Sequence, residues 1–337
     1  MAKKKEKKSN ADVIKEVTEA LIEQIEAGTP PWIKPWSSTP FQMPENGATG
    51  RQYNGINVFI LWATAELKGY GDHRWMTFKQ AKDKGGTVRK GEKSTKVIFW
   101  RFFERKDKDT GEDVKIPFAR TYSVFNVNQI DGLDMEPLAV KTYEHDDVAP
   151  ASLAMALGDL AKVSYLEDGE KAAYNWRDDV VRIPKLQRFE SPSHYAATLA
   201  HEMVHWTGHK SRCDRQFGKR FGDDAYAFEE LVAEMGAAFV CSALGIHGQL
   251  RHAEYLGHWA RIARADTYAL TSAAKQAEKA MRHLFEAAGG VEAVTARAAE
   301  LESHVAREHK THVGYTKPGA STGYEGPDQP AQQSFSF

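Results

Sequence analysis

The chain has 337 residues, of which 42% are hydrophobic and 27% are charged, values typical of a globular protein. That length suits about two domains, and no apolar run reaches the ~18–20 residues needed to span a bilayer, so a membrane protein is not expected. The basic start has no apolar stretch behind it and is not expected to be a secretory signal. Cys213 and Cys241 cannot build a disulfide framework, so a cytoplasmic location is expected.

Charge is distributed unevenly along the chain, although the net charge is only −1. Residues 1–132 hold 23 Lys and Arg against 17 Asp and Glu, a net charge of +6. The remainder holds 22 against 29, a net charge of −7. The first half is therefore the part expected to meet a polyanion.

Periodicity and turn signals predict an α+β first half. Its predicted elements are, in chain order, a helix over 13–25 ended by a Gly-Thr-Pro-Pro segment, short helices at 56–67 and 77–84, and strands at 96–105 and 118–127. Asp109-Thr110-Gly111 is a turn signal between the two strands. We therefore expect a long β-hairpin in this half.

The second half is predicted to be mostly helical. Its predicted elements are a helix at 150–162, a strand at 163–166, a hairpin ending in the strand 179–183, helices from 191 to about 288 with loops near 208–224 and 245–250, and a helical segment at 291–307. Ser191 and Pro192 form an N-cap and first-turn pair. The expected bounds are a basic disordered start at 1–10, domains at 11–133 and 151–290 with a linker at 134–150, a helical extension at 291–309 and a disordered tail at 310–337.

The segment His201-Glu202-Met203-Val204-His205 fits the pattern HExxH. Two histidines four residues apart lie on one helical face, with Cβ atoms ~5–6 Å apart, so both rings can bind one ion at ~2.0–2.1 Å. Glu202 lies beside them and can act as a general base toward water. The alternative is two surface histidines on a helix, because so short a pattern also arises by chance.

A third ligand is expected on a helix that follows His205 by 24–33 residues. The segment from Glu229 onward has the ExxA(D/E/N) arrangement of gluzincin-type metallopeptidases, with Glu230 as the ligand and Ala233 leaving room against the first helix. Glu234, one turn further on, can orient a ligating histidine. Glu229 points ~100° away from Glu230 and is expected to be a solvated acid, but its assignment as the ligand instead stays open.

His209 is rejected as a ligand. It lies ~12 Å from His201 along a continuous helix, and its spacing is not the HExxHxxGxxH of metzincins. Two histidines and one glutamate leave an open coordination position, which is the catalytic rather than the structural arrangement. We expect one divalent ion, with zinc the default and manganese possible.

Two features near the motif have competing interpretations. The strand Asp179–Ile183 is either a sheet edge that pairs with an extended peptide or an ordinary core strand. Tyr255, one turn before Trp259, could donate to an oxyanion, but core packing is favoured.

A basic segment in the first half runs into an aromatic strand. The strand contains Phe99 and Trp100, and the basic residues are Lys79, Lys82, Lys84, Arg89, Lys90, Lys93 and Lys96. Such loops beside aromatic rings suit single-stranded nucleic acid, because cations follow the phosphates while bases stack. We predict DNA contacts for these seven residues and Trp100, and the alternative is a solvated lysine face beside a core strand.

Longer segments carry a resemblance over about residues 10–290. They are PPWIKPW (Pro30–Trp36), RQYNGIN (Arg51–Asn57), RTYSVFNVNQIDGL (Arg120–Leu133), HYAATLAHEMVHWTGHKSR (His194–Arg212) and YAFEELVAEMGAAF (Tyr226–Phe239). In these segments the chain resembles the ArdC-type antirestriction proteins of plasmids and phages.

The resemblance implies an N-terminal domain that binds single-stranded DNA, a C-terminal zincin-like metallopeptidase domain, and protection of incoming DNA from host restriction. It implies metal binding by His201, His205 and Glu230 and catalysis by Glu202, and it does not define the DNA contacts. The expected partners are single-stranded DNA and an unidentified protein substrate or restriction-system component. The alternatives are a DNA-coating or partner-binding protein with a structural metal site, and a regulatory metalloprotease that cleaves a repressor.

Overall fold

A computed structural model describes residues 9–32, 42–106, 113–136, 144, 147–215, 224–246 and 255–313. The predicted basic start before residue 9, the segment with Trp36, the predicted turn at 109–111 and the predicted tail beyond 313 lie outside these ranges. Over the described ranges the fold is α+β, with a small mixed first half and a mostly helical second half, as predicted. Among the described helices, none is both long and apolar enough to cross a bilayer.

The first half is built from short elements around one long hairpin. Its elements are α1 (Asn10–Glu26), β1 (Glu45–Asn46), α2 (Ile56–Lys68), β2 (Arg74–Met76), α3 (Phe78–Asp83), β3 (Thr87–Val88), β4 (Thr95–Lys106), β5 (Asp113–Asn126) and β6 (Ile130–Asp131). α1 begins where Ser9 accepts a hydrogen bond from the backbone N–H of Asp12, whose side chain bonds back to Ser9 in a capping box.

The hairpin of β4 and β5 confirms the predicted pair of long strands. The two strands are antiparallel, and Thr95 pairs with Val124 at the start of β4. The sheet has the order β1-β2-β5-β4, and β3 pairs with β6 separately. α1 and α2 pack on the hairpin. The Asn57 amide of α2 donates to the Ile98 carbonyl and accepts from the Ile98 N–H, both at 2.7 Å, and so fixes α2 to β4.

The second half is a helical bundle with a small sheet. Its elements are α4 (Ala149–Ala161), β7 (Tyr165–Leu166), β8 (Ala173–Asn175), β9 (Val180–Arg182), α5 (Pro192–Thr207), α6 (Asp224–Leu244), α7 (Leu256–Ala265), α8 (Ala269–Ala288) and α9 (Val291–Val313). α5 packs against α4, α6 and α8. α9 continues to Val313, so the first residues of the predicted tail are helical.

The strand predicted at 179–183 is the central strand of its sheet. The strand order is β7-β9-β8, with β9 parallel to β7 and antiparallel to β8. Because both sides of β9 are paired and Val181 is fully buried, the prediction that this strand could pair with a peptide is wrong. The interpretation as a core strand is confirmed, and β8 is an edge of the sheet.

An aromatic cluster joins the two halves of the chain. The ring of Phe59 on α2 lies 4.8 Å from that of Phe239 on α6 and 5.4 Å from that of Trp32. Trp32 in turn lies 6.3 Å from Trp259 on α7, and Trp62 lies 6.2 Å from Phe239. All five rings are buried. α6 therefore packs against the first half with one part of its length and against α5 with another.

Candidate metal centre

Helix α5 brings the two histidines of the HExxH motif together. Ser191 caps the helix by accepting from the His194 N–H, and Pro192 occupies its first turn, as predicted. His201 and His205 are both buried, and their Nε2 atoms lie 3.1 Å apart. The alternative of two surface histidines is therefore wrong.

Helix α6 supplies a carboxylate to the same point. Glu230 Oε2 lies 3.5 Å from His201 Nε2, and Oε1 lies 3.4 Å from His205 Nε2. Among the described residues, His201, His205 and Glu230 form a group whose donor atoms all lie within 4.8 Å of one another. The structure thus brings together the three residues predicted as metal ligands.

A glycine allows α6 to approach α5 this closely. A Cβ atom on Gly236 would lie 2.7 Å from Cγ2 and 2.8 Å from Cγ1 of Val204, which is in the middle of the HExxH motif. Such distances are shorter than carbon atoms tolerate, so a side chain at position 236 would push the helices apart. Sequence reasoning had assigned this spacing role to Ala233, which is also fully buried.

A carboxylate lies behind each histidine ring. Glu234 Oε1 lies 3.6 Å from Nδ1 of His201, and Glu229 Oε1 lies 3.2 Å from Nδ1 of His205. Carboxylates at Nδ1 fix the ring orientation and direct the lone pair of Nε2 toward a metal. Glu234 is placed as predicted. The prediction of a solvated Glu229 is wrong, because Glu229 is buried and faces His205.

Arg215 holds Glu229 in this position and was not found from the sequence. Its guanidinium donates to both carboxylate oxygens of Glu229, to the Thr207 hydroxyl at 2.8 Å and to the Val204 carbonyl at 2.6 Å. Arg215 is itself buried. It lies in the loop after α5, where periodicity carries no signal, and the only hint was a basic residue close to the motif.

The charges at the centre favour protonation of His205 when no cation is present. Burial opposes a charged ring, but Glu230 and Glu229 outweigh it and raise the pKa of His205 to about 10. Burial also acts to raise the pKa of Glu230, yet His205 and His201 hold that pKa well below its ordinary value. These two carboxylates therefore stabilise positive charge at the centre of the site, whether a proton or a metal carries it.

Glu202 differs from the other acids of the site. It is buried, and burial raises the pKa of its carboxyl group, which His201 and His205 oppose only in part. The backbone N–H of Tyr174, on the edge strand β8, donates to this carboxylate. A carboxylate with a raised pKa beside two histidines that could bind a metal is suited to accept and return a proton.

Two tyrosines complete the wall of the site. Tyr255 is buried and stacks on Trp259, with ring centroids 6.0 Å apart, so the favoured interpretation of core packing is confirmed. Tyr226, one turn before Glu230 on α6, hydrogen bonds to Glu230 and to Tyr255, and burial raises the pKa of its phenol. Tyr226 was not singled out in the sequence. His209 lies outside the donor group, with Nδ1 2.8 Å from the Ser211 hydroxyl.

The basic residues of the first half are distributed over α3 and the segment leading into β4. Those on the surface are Lys79, Lys82, Lys84, Lys90, Lys93 and Lys96. Arg89 is exposed as well, but it forms ion pairs with Asp131 at 3.2 Å and with Glu92 at 3.0 Å. Trp100 is partly exposed, and its ring lies 6.4 Å from that of Tyr268 on α8.

The donor set fits a divalent metal ion. Two imidazole nitrogens and one carboxylate are the protein ligands of catalytic zinc sites with an open position, and they also suit manganese. The carboxylates behind both rings support this fit, since they keep the Nε2 atoms as the acceptors that face the centre. A divalent ion held there would supply Lewis-acid polarisation of a peptide carbonyl and of water.

Comparison with known proteins divides the chain in the same way. Residues 154–276 match a family described as zincin-like metallopeptidase, and residues 11–125 match the N-terminal domain of anti-restriction factor ArdC. The second half is thus a zincin-like metallopeptidase domain.

Relatives that this chain covers over most of their length then identify the family of the whole chain. It resembles the metal-free crystal structure of antirestriction protein ArdC from plasmid R388 with a TM-score of 0.68 and 40% identity, over 82% of this chain and 98% of that one. The Mn(II)-bound form gives 0.67 and 39% with the same coverage. The uncharacterized protein y4eC of Sinorhizobium fredii (strain NBRC 101917 / NGR234) is 33% identical, over 80% of this chain and 90% of its own length. The chain belongs to the ArdC family of antirestriction proteins.

A longer relative contains the same region. The DNA primase TraC of Escherichia coli is 38% identical over 283 residues, 78% of this chain but only 19% of the primase. The chain therefore spans about a fifth of that protein. The zincin-like domain and the Mn(II)-bound neighbour together indicate a divalent metal in this family.

Proposed function

We propose that this chain is an antirestriction protein of a mobile element, a plasmid or phage, that binds single-stranded DNA and carries a metal-dependent peptidase activity. The observation that carries the proposal is the convergence of His201, His205 and Glu230 next to the buried carboxylate of Glu202. A structural metal site has no need of a fourth, proton-accepting group beside an open coordination position. In the cytoplasm of a cell that receives DNA, zinc is the expected ion and manganese the alternative.

Each residue of the site has a distinct part in peptide hydrolysis. His201, His205 and Glu230 hold the ion, and Glu234 and Glu229 orient the two rings. Glu202 takes a proton from the attacking water and passes it to the leaving amide nitrogen, which its raised pKa favours.

An extended substrate is proposed to lie along the edge strand β8. The N–H of Tyr174 reaches Glu202 from this strand, so a peptide paired with β8 would pass beside the catalytic carboxylate. The protein substrate is proposed to be a component of a restriction system.

The test compares wild type with Glu202→Gln in a cellular restriction-protection assay, with metal content measured on both purified proteins. Glu170→Gln is the matched control, because it makes the same change at an exposed position of the same half. We expect the Glu202→Gln protein to retain metal and lose protection, while the control keeps both. Full protection by a metal-loaded Glu202→Gln protein would refute the peptidase mechanism.

A second candidate function is DNA binding without hydrolysis, in which the metal ion only stabilises the fold. The exposed lysines from Lys79 to Lys96 favour it, because they lie apart from the metal centre on other elements. Protection would then depend on this basic surface and survive Glu202→Gln. Lys90→Gln with Lys93→Gln should weaken DNA binding and flatten its dependence on salt, whereas Lys185→Gln with Lys275→Gln, the same charge change in the second half, should not.

A further inference from the structure

One face of the β4–β5 hairpin opens to solvent. Side chains alternate between the two faces of a strand, and Ile98 and Ala119, which share one face, are both buried. On the opposite face Val97 is fully buried, but Phe99, the next residue along that face, is 41% exposed. Arg101, two residues further, is also exposed. The open region therefore begins at Phe99 and runs along the hairpin.

The strand register makes this face a mixture of rings and guanidinium groups. Phe99 pairs with Arg120, and Arg101 pairs with Phe118, so each arginine lies directly opposite an aromatic residue. Tyr122 lies two residues from Arg120 on the same face of β5. The strand register alone therefore makes aromatic rings and guanidinium groups alternate, both along a strand and across the hairpin.

Two rings and one guanidinium group of this face contact one another. Phe99 and Tyr122 meet edge to face, with centroids 5.2 Å apart and planes at 87°. The Arg120 guanidinium carbon lies 5.2 Å from the centroid of Tyr122. Over the part of the chain that the structure describes, no carboxylate forms an ion pair with Arg101 or Arg120. Their charges are thus available to an anion.

The other face of the hairpin differs in its ring contacts and in the partners of its charged groups. Lys96 donates to the Ser123 hydroxyl at 2.6 Å there, and the ring of Trp100 faces Tyr268 of α8. Trp100 therefore contacts the second half of the protein.

We propose that the face formed by Phe99, Arg101, Arg120 and Tyr122 is the base-stacking surface for single-stranded DNA. This inference rests on the proposed DNA-binding function and assigns it to a surface other than the lysines. Unpaired bases expose flat faces that stack on aromatic rings, while the adjacent guanidinium groups neutralise phosphates. A duplex keeps its bases inside the stack and could use only the two arginines.

The test measures binding of the full chain to labelled oligo(dT) at several salt concentrations. One variant removes rings, Phe99→Ala alone and with Tyr122→Ala, and a second removes charges, Arg101→Gln with Arg120→Gln. The matched control is Trp176→Ala with Arg177→Gln, because Trp176 is 59% exposed and Arg177 lies 5.4 Å from its ring in the second half. Circular dichroism and melting curves establish that each variant is folded.

We expect the ring variant to bind about tenfold more weakly with an unchanged salt dependence, since stacking carries no charge. The arginine variant should lower the slope of log affinity against log salt by about 0.7 for each phosphate that the protein no longer neutralises. An abasic oligonucleotide should bind wild type as weakly as it binds the ring variant. The control should match wild type throughout.

Three outcomes would overturn the inference. Wild-type affinity and slope in both variants would exclude this face. A loss of DNA affinity seen only with Trp100→Ala or with the lysine variants would assign DNA binding to those residues instead. A change in self-association without a change in DNA affinity would assign the face to a second copy of the chain. Failure of wild type to bind any single-stranded oligonucleotide would instead refute the proposed DNA-binding function.

Discussion

Arg215 forms a bidentate ion pair with Glu229, donating from Nε to Oε2 at 2.9 Å and from Nη2 to Oε1 at 2.8 Å. Both groups are buried. Oε1 of Glu229 also lies 3.2 Å from Nδ1 of His205, so the arginine acts through Glu229 on the position of a proposed metal ligand. Burial acts to raise the pKa of Glu229, but Arg215 and His205 hold it below its ordinary value.

Neutralising this arginine should weaken metal binding. In Arg215→Met, Glu229 loses its cation and His205 loses a fixed orientation, so we expect metal affinity to fall by about 10- to 100-fold in a competition titration against a chelator. Because a lone buried charge is costly, the single variant should also be less stable than Arg215→Met with Glu229→Gln. Arg297→Gln, which breaks an exposed ion pair with Asp159, is the control. Unchanged affinity in a folded Arg215→Met protein would contradict this role.

The three glutamates of α6 should separate in their effects on metal binding. Glu230→Gln removes a ligand and should abolish the thermal stabilisation that added zinc or manganese gives to wild type. Glu234→Gln and Glu229→Gln should only weaken it, by about 10- to 100-fold in affinity, because each acts through a histidine. A Glu229→Gln protein that loses metal completely while Glu230→Gln retains it would show that the ligand had been assigned one residue too late.

The contact between Gly236 and Val204 predicts a steric test of the helix pair. Gly236→Ala should destabilise the protein by about 1–3 kcal/mol in denaturant unfolding and lower its metal affinity, because the new methyl group forces α6 away from α5. Val204→Ala in the same chain removes the colliding atoms and should restore much of both. Gly257→Ala, in α7 where nothing lies within 4 Å, should be neutral or slightly stabilising. A fully stable Gly236→Ala protein would mean that the helices can separate at no cost.

Asp179 predicts a pH-dependent contribution to stability. Its hydrogen bonds from Arg212 lower its pKa, so its contribution is present above the ordinary value of about 3.9 and is lost as the pH falls through the lower folded value. Asp179→Asn keeps the positive φ of 55°, which asparagine tolerates. It should lower the melting midpoint by a few degrees at pH 7, and by progressively less at a pH below about 3.9.

The control for this prediction is Asp168→Asn. It breaks an ion pair with Arg182 in which both side chains are about half exposed, so little change is expected at either pH. An equal loss of stability in both variants at pH 7 would show that the contact of Asp179 with Arg212 stabilises the β8–β9 turn no more than an exposed ion pair does.

Local patterns predicted the elements of the site better than its supporting contacts. The i and i+4 spacing of His201 and His205 depends only on helix geometry, and it brought their rings together as expected. The direction of Glu229 depends on Arg215, which reaches it from an irregular loop, and no periodicity encodes that contact. In the same way, a run of β-branched residues predicts a strand at 179–183 but not whether other strands pair with one side of it or with both.

The same limit applies to the basic half. Composition identified lysines and aromatic residues together. In the structure, however, Arg89 forms ion pairs with Glu92 and Asp131, and the ring of Trp100 lies beside Tyr268, just before α8. Which side of a hairpin stays open is decided by what packs on it, and α1 and α2 are distant in sequence from β4. The pair formed by exposed Phe99 and partly buried Tyr122 becomes recognisable only once the register is known.

The aromatic cluster that joins Phe59 to Phe239 is expected to couple the stability of the two halves. Cutting the chain between 136 and 147 would leave each fragment with uncovered aromatic surface, so neither is expected to fold alone, and the intact protein should melt in a single transition. Evolution would then have to keep both halves in one chain. The match to the TraC primase fits this constraint, since it embraces both halves as one block inside a much longer chain.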